Sequence, residues 1–142
     1  MKRTIIDPKV SVAGQPSPDD IADWGREGVA LLINNRPDGE EPGQPGSGTE
    51  RRAAQAAGIG YLDLPVTGPT ISRAAVEEFR AAVAAAPGPV VAHCRSGTRS
   101  LTLWALGEVV AGRLRRDEVL EVGARHGFDL SGALRWLDAN GA

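Results

Sequence analysis

The sequence predicts an α/β fold with a mostly parallel central sheet flanked by helices. Strand-length apolar runs alternate with helix-length amphipathic stretches along the chain, the pattern of successive strand–helix units. The runs "VALLINN" and "PVVAHC" lack polar alternation, as strands covered on both faces do. Short Gly- and Pro-containing segments separate the elements, with no internal repeat and no linker.

In chain order, Val10 and Val12 alternate with polar neighbours in "KVSVAG", a short first strand. "SPDDIADWGREG" reads as a helix with Ser17 as N-cap, Pro18 at the first helical position and Asp20 completing a capping box. "VALLINN" follows as a buried strand, and residues 36–48 form a loop too rich in Gly and Pro for regular structure. Loops of that length in compact domains are usually functional or mobile. "TERRAAQAAG" is a short helix, capped by Thr49 and stopped by Gly58. "IGYLDLPV" is a strand ended by Pro65, and "SRAAVEEFRAAVAAAPG" is a helix with Val76, Phe79 and Val83 on one face. "PVVAHC" is a further buried strand, followed by the helix "SLTLWALGEVVAG" and two closing helices around "RDEVLEVGARHG" and "LSGALRWLDANG".

With 142 residues, 42% of them hydrophobic, the chain has enough apolar material for one core, so residues 1–142 are expected to form a single catalytic domain. Its 16 basic and 18 acidic residues leave no nucleic-acid footprint and no polybasic membrane patch. Asp7, Pro8 and Lys9 interrupt the apolar run of "MKRTIIDPKV", which is therefore expected to be neither a signal peptide nor a membrane span. A single cysteine points to a reducing, cytoplasmic setting. Two histidines far apart and one thiol offer no metal-ligand cluster, so no metal and no cofactor is expected.

The chemistry concentrates at "HCRSGTRS". Cys94 sits where a strand gives way to a helix, and in parallel sheets ligands bind beyond the carboxyl ends of the strands. A strand-to-helix loop turns backbone N–H groups and a helix N-terminus toward its centre, which favours anions and the thiolate form of a cysteine. Arg95 and Arg99 add positive charge, and an arginine fork grips tetrahedral oxyanions. Gly97 permits the turn, and Ser96 and Thr98 complete the anion cradle. Ser100 is expected to donate a hydrogen bond to the Cys94 sulfur. Together these residues describe an activated nucleophile in an anion-binding loop.

On "VSVAGQPSPDDI", "VALLINNRPDGE", "YLDLPV" and "HCRSGTRS", the sequence resembles the dual-specificity phosphatase fold. It more closely resembles the phosphatase-like domain of the bacterial beta-lactamase-hydrolase-like proteins, a family also described as sulfur transferases. The resemblance covers about residues 8–112, and its most specific pieces are "GQPS", "NNRPDGE" and "HCRSGTRS". The phosphatase signature matches at His93, Cys94 and Gly97, but the arginine arrives one position early, at Arg99, with Ser100 in its place. The spacing from Cys94 to Arg99 is similar to the rhodanese loop, whose cysteine carries a persulfide. The dual-specificity pattern also implies a general acid about seven residues beyond Tyr61, near Gly68, where no acid stands. Asp63 is the nearest candidate. The resemblance further implies that His93 holds the loop by hydrogen bonding.

The first expectation is accordingly a rhodanese-like sulfurtransferase. In it a Cys94 persulfide carries sulfur from a small anionic donor, thiosulfate or a persulfide, to a thiol or cyanide acceptor. The alternative is a cysteine-based phosphatase acting on a phosphoester through a phosphocysteine, with Asp63 as acid. A binding module for anions or persulfides is the third. Arg36 leaves a strand end near the loop, and anion binding and simple solvation are both open to it. Asp38, Glu40 and Glu41 are expected to be solvated loop charges, His126 a helix-end or surface residue, and Trp24, Trp104 and Trp136 core.

Overall fold

The computed structural model describes residues 2–141; the outermost residues of the expected 1–142 unit, Met1 and Ala142, lie outside the described residues. The chain runs β1 (Thr4–Ile5), β2 (Val10–Ala13), α1 (Pro18–Arg26), β3 (Leu31–Asn34), α2 (Ser47–Ala56), β4 (Gly60–Asp63), α3 (Arg73–Ala85), β5 (Val90–His93), α4 (Thr98–Val110), α5 (Val119–Arg125) and α6 (Ser131–Ala139). Single 3-10 turns occupy Gly68–Thr70 and Arg116–Glu118.

The sheet is mixed, in the order β1-β2-β5-β3-β4. β2, β5, β3 and β4 are parallel, and only the edge strand β1 runs antiparallel, pairing Thr4 with Val12. β1 is too short for its period to show in the sequence. Register places Ala13 beside His93, His93 beside Asn34, and Asn34 beside Asp63. Four parallel strands therefore end at one level, and the loops that leave them open on one edge of the sheet.

Cores cover both faces. Ile21 and Trp24 of α1 and Ala54 of α2 pack with Leu32 and Val91 on one side. On the other, Val76 and Phe79 of α3, Leu101, Leu103 and Leu106 of α4 and Leu137 of α6 pack with Ile33 and Ala92. Helix α4 is buried around most of its circumference, as a helix following the central strand β5 must be.

Local signals explain most boundaries. Ser17 caps α1 with the full capping box to Asp20. Helix α2 corrects the expected Thr49 cap: it begins at Ser47, after Gly46 at φ 86°. Asp38 in the preceding loop supplies the cap, its carboxylate accepting the Ser47 N–H at 2.8 Å and the Ser47 hydroxyl at 2.9 Å. Asp38 is thus not a free solvated charge. Trp24 and Trp136 are core residues, while Trp104 is half-buried. His126 is the C-cap of α5.

Candidate active site

Cys94 follows the central strand directly and is 1% exposed. Its N–H donates to the Ala13 carbonyl at 3.3 Å, and the Arg95 carbonyl accepts the Gln15 N–H at 3.3 Å, so the loop is stitched to the end of β2. Gly97 adopts φ 103°, a left-handed conformation that reverses the chain into α4. A side chain there would also strike the Phe128 ring, 3.1 Å from the position of a Cβ. This turn brings the Gly97 N–H to 3.0 Å from the Cys94 sulfur. The thiol therefore lies at the N-terminus of a 13-residue helix and accepts a backbone hydrogen bond there.

Two arrangements hold the loop. His93 presents both ring nitrogens to acceptors: Nε2 lies 2.6 Å from Glu50 Oε1, and Nδ1 lies 3.2 Å from the Cys94 carbonyl. Both side chains are buried, so His93 ties the backbone at Cys94 to α2. Glu50 also accepts from Gln15 Nε2 at 2.7 Å and from the Tyr61 hydroxyl at 3.3 Å. Beneath the loop, Ser100 donates to Asn35 Oδ1 at 2.8 Å, and Asn35 Nδ2 donates to the Leu64 carbonyl. This corrects the expected Ser100 contact with the thiol: the hydroxyl is fully buried and ties α4 to the ends of β3 and β4.

The mouth of the site is a lattice of arginines and carboxylates. Glu40 grips the outer edge of Arg99 in bidentate fashion, with Nη1–Oε2 and Nη2–Oε1 both at 2.8 Å. Arg99 Nη1 also donates to the Val66 carbonyl at 3.0 Å. Arg36 is neither solvated nor turned to an open anion site. It is 1% exposed and donates to Glu40 at 3.0 Å, Glu41 at 2.7 Å and Gln15 Oε1 at 3.0 Å. Glu41 faces Arg95 at 3.5 Å as well. Arg95 and Ser96 are exposed, and the Ser96 hydroxyl lies 3.4 Å from that of Thr98.

Glu40 and Glu41 thus depart from the expected solvated charges, and the electrostatics follow. Hydrogen bonds from Arg99, then from Arg36, outweigh partial burial and hold the Glu40 pKa down to about 2. Glu41 is lowered chiefly by its hydrogen bond from Arg36. The Arg99 pKa is raised, first by the Glu40 hydrogen bonds and further by the charge and hydrogen-bonding capacity of Cys94. Arg99 thus ties the carboxylate of the 36–48 loop to the first turn of α4, just after the Cys94 loop. Burial opposes the charge of Arg36, and its bonds to Glu41 and Glu40 more than compensate.

Asp63 stands apart. It ends β4, and burial, then the Asp38 charge, raises its pKa; Arg51, Glu50 and His93 act on it too. Its electrostatic neighbours are Arg51 and Glu50 of α2, Asp38 of the 36–48 loop and His93 beside Cys94. The 64–72 segment contains no carboxylate. Among the described residues no group of three or more His, Cys, Asp or Glu is placed to hold a metal ion. No helix among them is long and apolar enough to cross a membrane.

Gln15, Asn34, Asn35, Glu40, Glu41, Glu50 and Phe128 were not anticipated at the site. The available signal was the resemblance itself, since "GQPS" and "NNRPDGE" contain four of these seven residues.

The model of the family described as "Beta-lactamase hydrolase-like protein, phosphatase-like domain" matches residues 2–111. Similar curated proteins include the beta-lactamase hydrolase-like protein of Agrobacterium fabrum, 48% identical over the whole of this chain and 33% of that protein. Its counterpart in Xylella fastidiosa strain Temecula1 is 47% identical over 96% of this chain and 32% of its own length. The chain thus spans about a third of these relatives. Among solved structures, a putative phosphatase from Neisseria meningitidis is 31% identical, with a TM-score of 0.84 and 96% of each chain covered. P. aeruginosa TpbA shares the fold at a TM-score of 0.71 and 21% identity, covering 99% of this chain and 89% of its own.

These matches overturn the expectation of a sulfurtransferase. The matched family is phosphatase-like, and the similar folds are those of phosphatases. Residue count between Cys94 and the arginine is a poor measure of how far that side chain reaches. A side chain as long as Arg99, starting in the first turn of α4, is long enough to serve the same loop although it arrives one residue early, and Cys94 is among the groups that raise its pKa.

Proposed function

Because the chain belongs to the beta-lactamase hydrolase-like protein, phosphatase-like domain family, we propose that it is a cysteine-based phosphatase acting on phosphomonoesters. One observation carries the reading: the buried Cys94 sulfur accepts the Gly97 N–H at 3.0 Å, at the head of α4 and within the influence of Arg99. A solved TpbA structure is a complex with phosphotyrosine, a phosphomonoester on a related fold.

In this mechanism the Cys94 thiolate attacks phosphorus, and the bond from phosphorus to the ester oxygen breaks. Loop amides and Arg99 stabilise the charge on the transferring phosphoryl group. The departing oxygen takes its proton from water, because the segment that carries the acid in dual-specificity phosphatases has no carboxylate here. Water then attacks the phosphocysteine; the sulfur–phosphorus bond breaks, releasing inorganic phosphate and restoring the thiolate. No metal or organic cofactor takes part.

Glu40 acts as a positioning residue. It occupies the outer edge of the Arg99 guanidinium and leaves the Nε edge for the substrate. Arg36 in turn fixes Glu40 and Glu41 over the mouth. We read residues 1–142 as one catalytic unit, and a reducing cytoplasm suits an enzyme that needs a free thiol. Steady-state hydrolysis of para-nitrophenyl phosphate by the native protein and by Cys94→Ser tests the reading. Turnover by the native protein alone is expected; equal rates from both would overturn it.

A further inference from the structure

A second cavity shares Arg99 with the candidate active site. It has a volume of about 560 Å³ and lies between the first turn of α4, the Gly68–Thr70 turn and helix α6. That volume is in the range of small-molecule sites. Its walls divide by chemistry: Ile71 and Trp136 offer apolar surface, and Arg99 and Arg135 offer positive charge. Trp136 is fixed there by its indole N–H, which donates to the Ile71 carbonyl at 2.7 Å.

The two arginines differ in their commitments. Arg99 is gripped by Glu40, whereas Arg135 makes no hydrogen bond or salt bridge with any described residue. The one carboxylate lining the cavity, Asp129, is partly spent on the Ser131 N–H at 2.9 Å. The cavity therefore shares Arg99 with the mouth of the site and presents, farther along α6, the exposed guanidinium of Arg135, which among the described residues faces only the charge of Asp129.

We propose that this cavity is the leaving-group subsite, and that it selects small phosphomonoesters whose leaving group carries a second anion, carboxylate or phosphate, for Arg135. The proposal rests on the phosphatase reading. A phosphoryl group held over Cys94 would place its ester oxygen beside Arg99, the residue common to both spaces. The body of the leaving group then lies against Ile71 and Trp136, and its anion meets Arg135. A cavity of about 560 Å³ has room for the leaving group of a small molecule, so the preference is for a small phosphomonoester.

The test uses phenyl phosphate and its meta- and para-carboxyphenyl analogues. Leaving groups of similar acidity separate recognition from chemistry. With the native protein, kcat/KM for at least one carboxylated ester should exceed that for phenyl phosphate by about tenfold, the worth of one charge-assisted hydrogen bond. Arg135→Glu should abolish or invert that preference while leaving phenyl phosphate turnover unchanged. The same comparison by calorimetric titration, in Cys94→Ser and in Cys94→Ser combined with Arg135→Glu, reads the subsite without turnover. Absent hydrolysis with the affinity preference intact would sink the phosphatase reading and keep the subsite. Hydrolysis with no carboxylate preference, or a preference that survives Arg135→Glu, would overturn the subsite.

Discussion

Glu40 holds Arg99 by two hydrogen bonds of 2.8 Å, across 59 residues of sequence. That pair ties the long loop after β3 to the first turn of the helix that follows Cys94. Through Arg36, Gln15 and Glu50 the contacts continue to His93, so a chain of charged and polar groups runs from the mouth of the site to the buried backbone behind the thiol.

Loosening the pair should cost catalysis more than folding. Glu40→Gln keeps the shape but loses the charge that fixes Arg99, and a misplaced positioning group costs on the order of tenfold to a hundredfold in kcat/KM. Steady-state kinetics on an aryl phosphate, alongside thermal melting, checks this. The expected split is a large kinetic loss with a small change in Tm.

The same carboxylate sets an acid limit. Its pKa is lowered in the fold from 4.5 to about 2, so its stabilising contribution is present above the higher value and is lost as pH falls through the lower. Denaturation midpoints measured between those two pH values should fall more steeply with acidification for the native protein than for Glu40→Gln. Parallel curves would show that Glu40 contributes nothing to the linkage.

Without a carboxylate in the 64–72 segment, the rate should depend strongly on the leaving group. Esters of acidic phenols are expected to turn over far faster than alkyl phosphates. Asp63→Asn should leave kcat/KM within about twofold, whereas loss of a working general acid would cost roughly a hundredfold or more. A flat dependence on leaving-group acidity together with a large Asp63→Asn loss would restore Asp63 as the acid.

Gly97 combines φ 103° with a Phe128 ring 3.1 Å from where a Cβ would stand. Gly97→Ala should destabilise the fold by about 1–3 kcal/mol, the usual cost of a strained backbone position. Adding Phe128→Ala should recover only part of that, because the ring clash is relieved and the backbone strain is not. Urea unfolding of the single and double variants separates the two contributions.

How legible all this is in the sequence depends on distance along the chain. "PVVAHC" and the capping box at Ser17 and Asp20 announce themselves because their causes are local. The Cys94 loop is legible for the same reason: nucleophile, turn glycine and arginine are contiguous. Glu40 and Glu50 are not, because each acts on a partner more than 40 residues away. A charged residue in a Gly- and Pro-rich loop looks solvated until the fold brings arginines against it. The cap of α2 hid for a similar reason, since Asp38 reaches Ser47 across the intervening loop. The sulfur-transfer expectation came from counting residues between Cys94 and Arg99, a quantity that the length and flexibility of an arginine side chain make uninformative.

In the proposed mechanism Cys94 carries a phosphoryl group during turnover. This is tested most directly by intact mass of the protein, quenched in acid while it hydrolyses para-nitrophenyl phosphate, beside Cys94→Ser treated identically. A fraction of the native protein should be heavier by one phosphoryl group, with the added mass on the peptide containing Cys94 and absent from the variant. Continued hydrolysis by Cys94→Ser, or a phosphoryl group on any other residue, would contradict it.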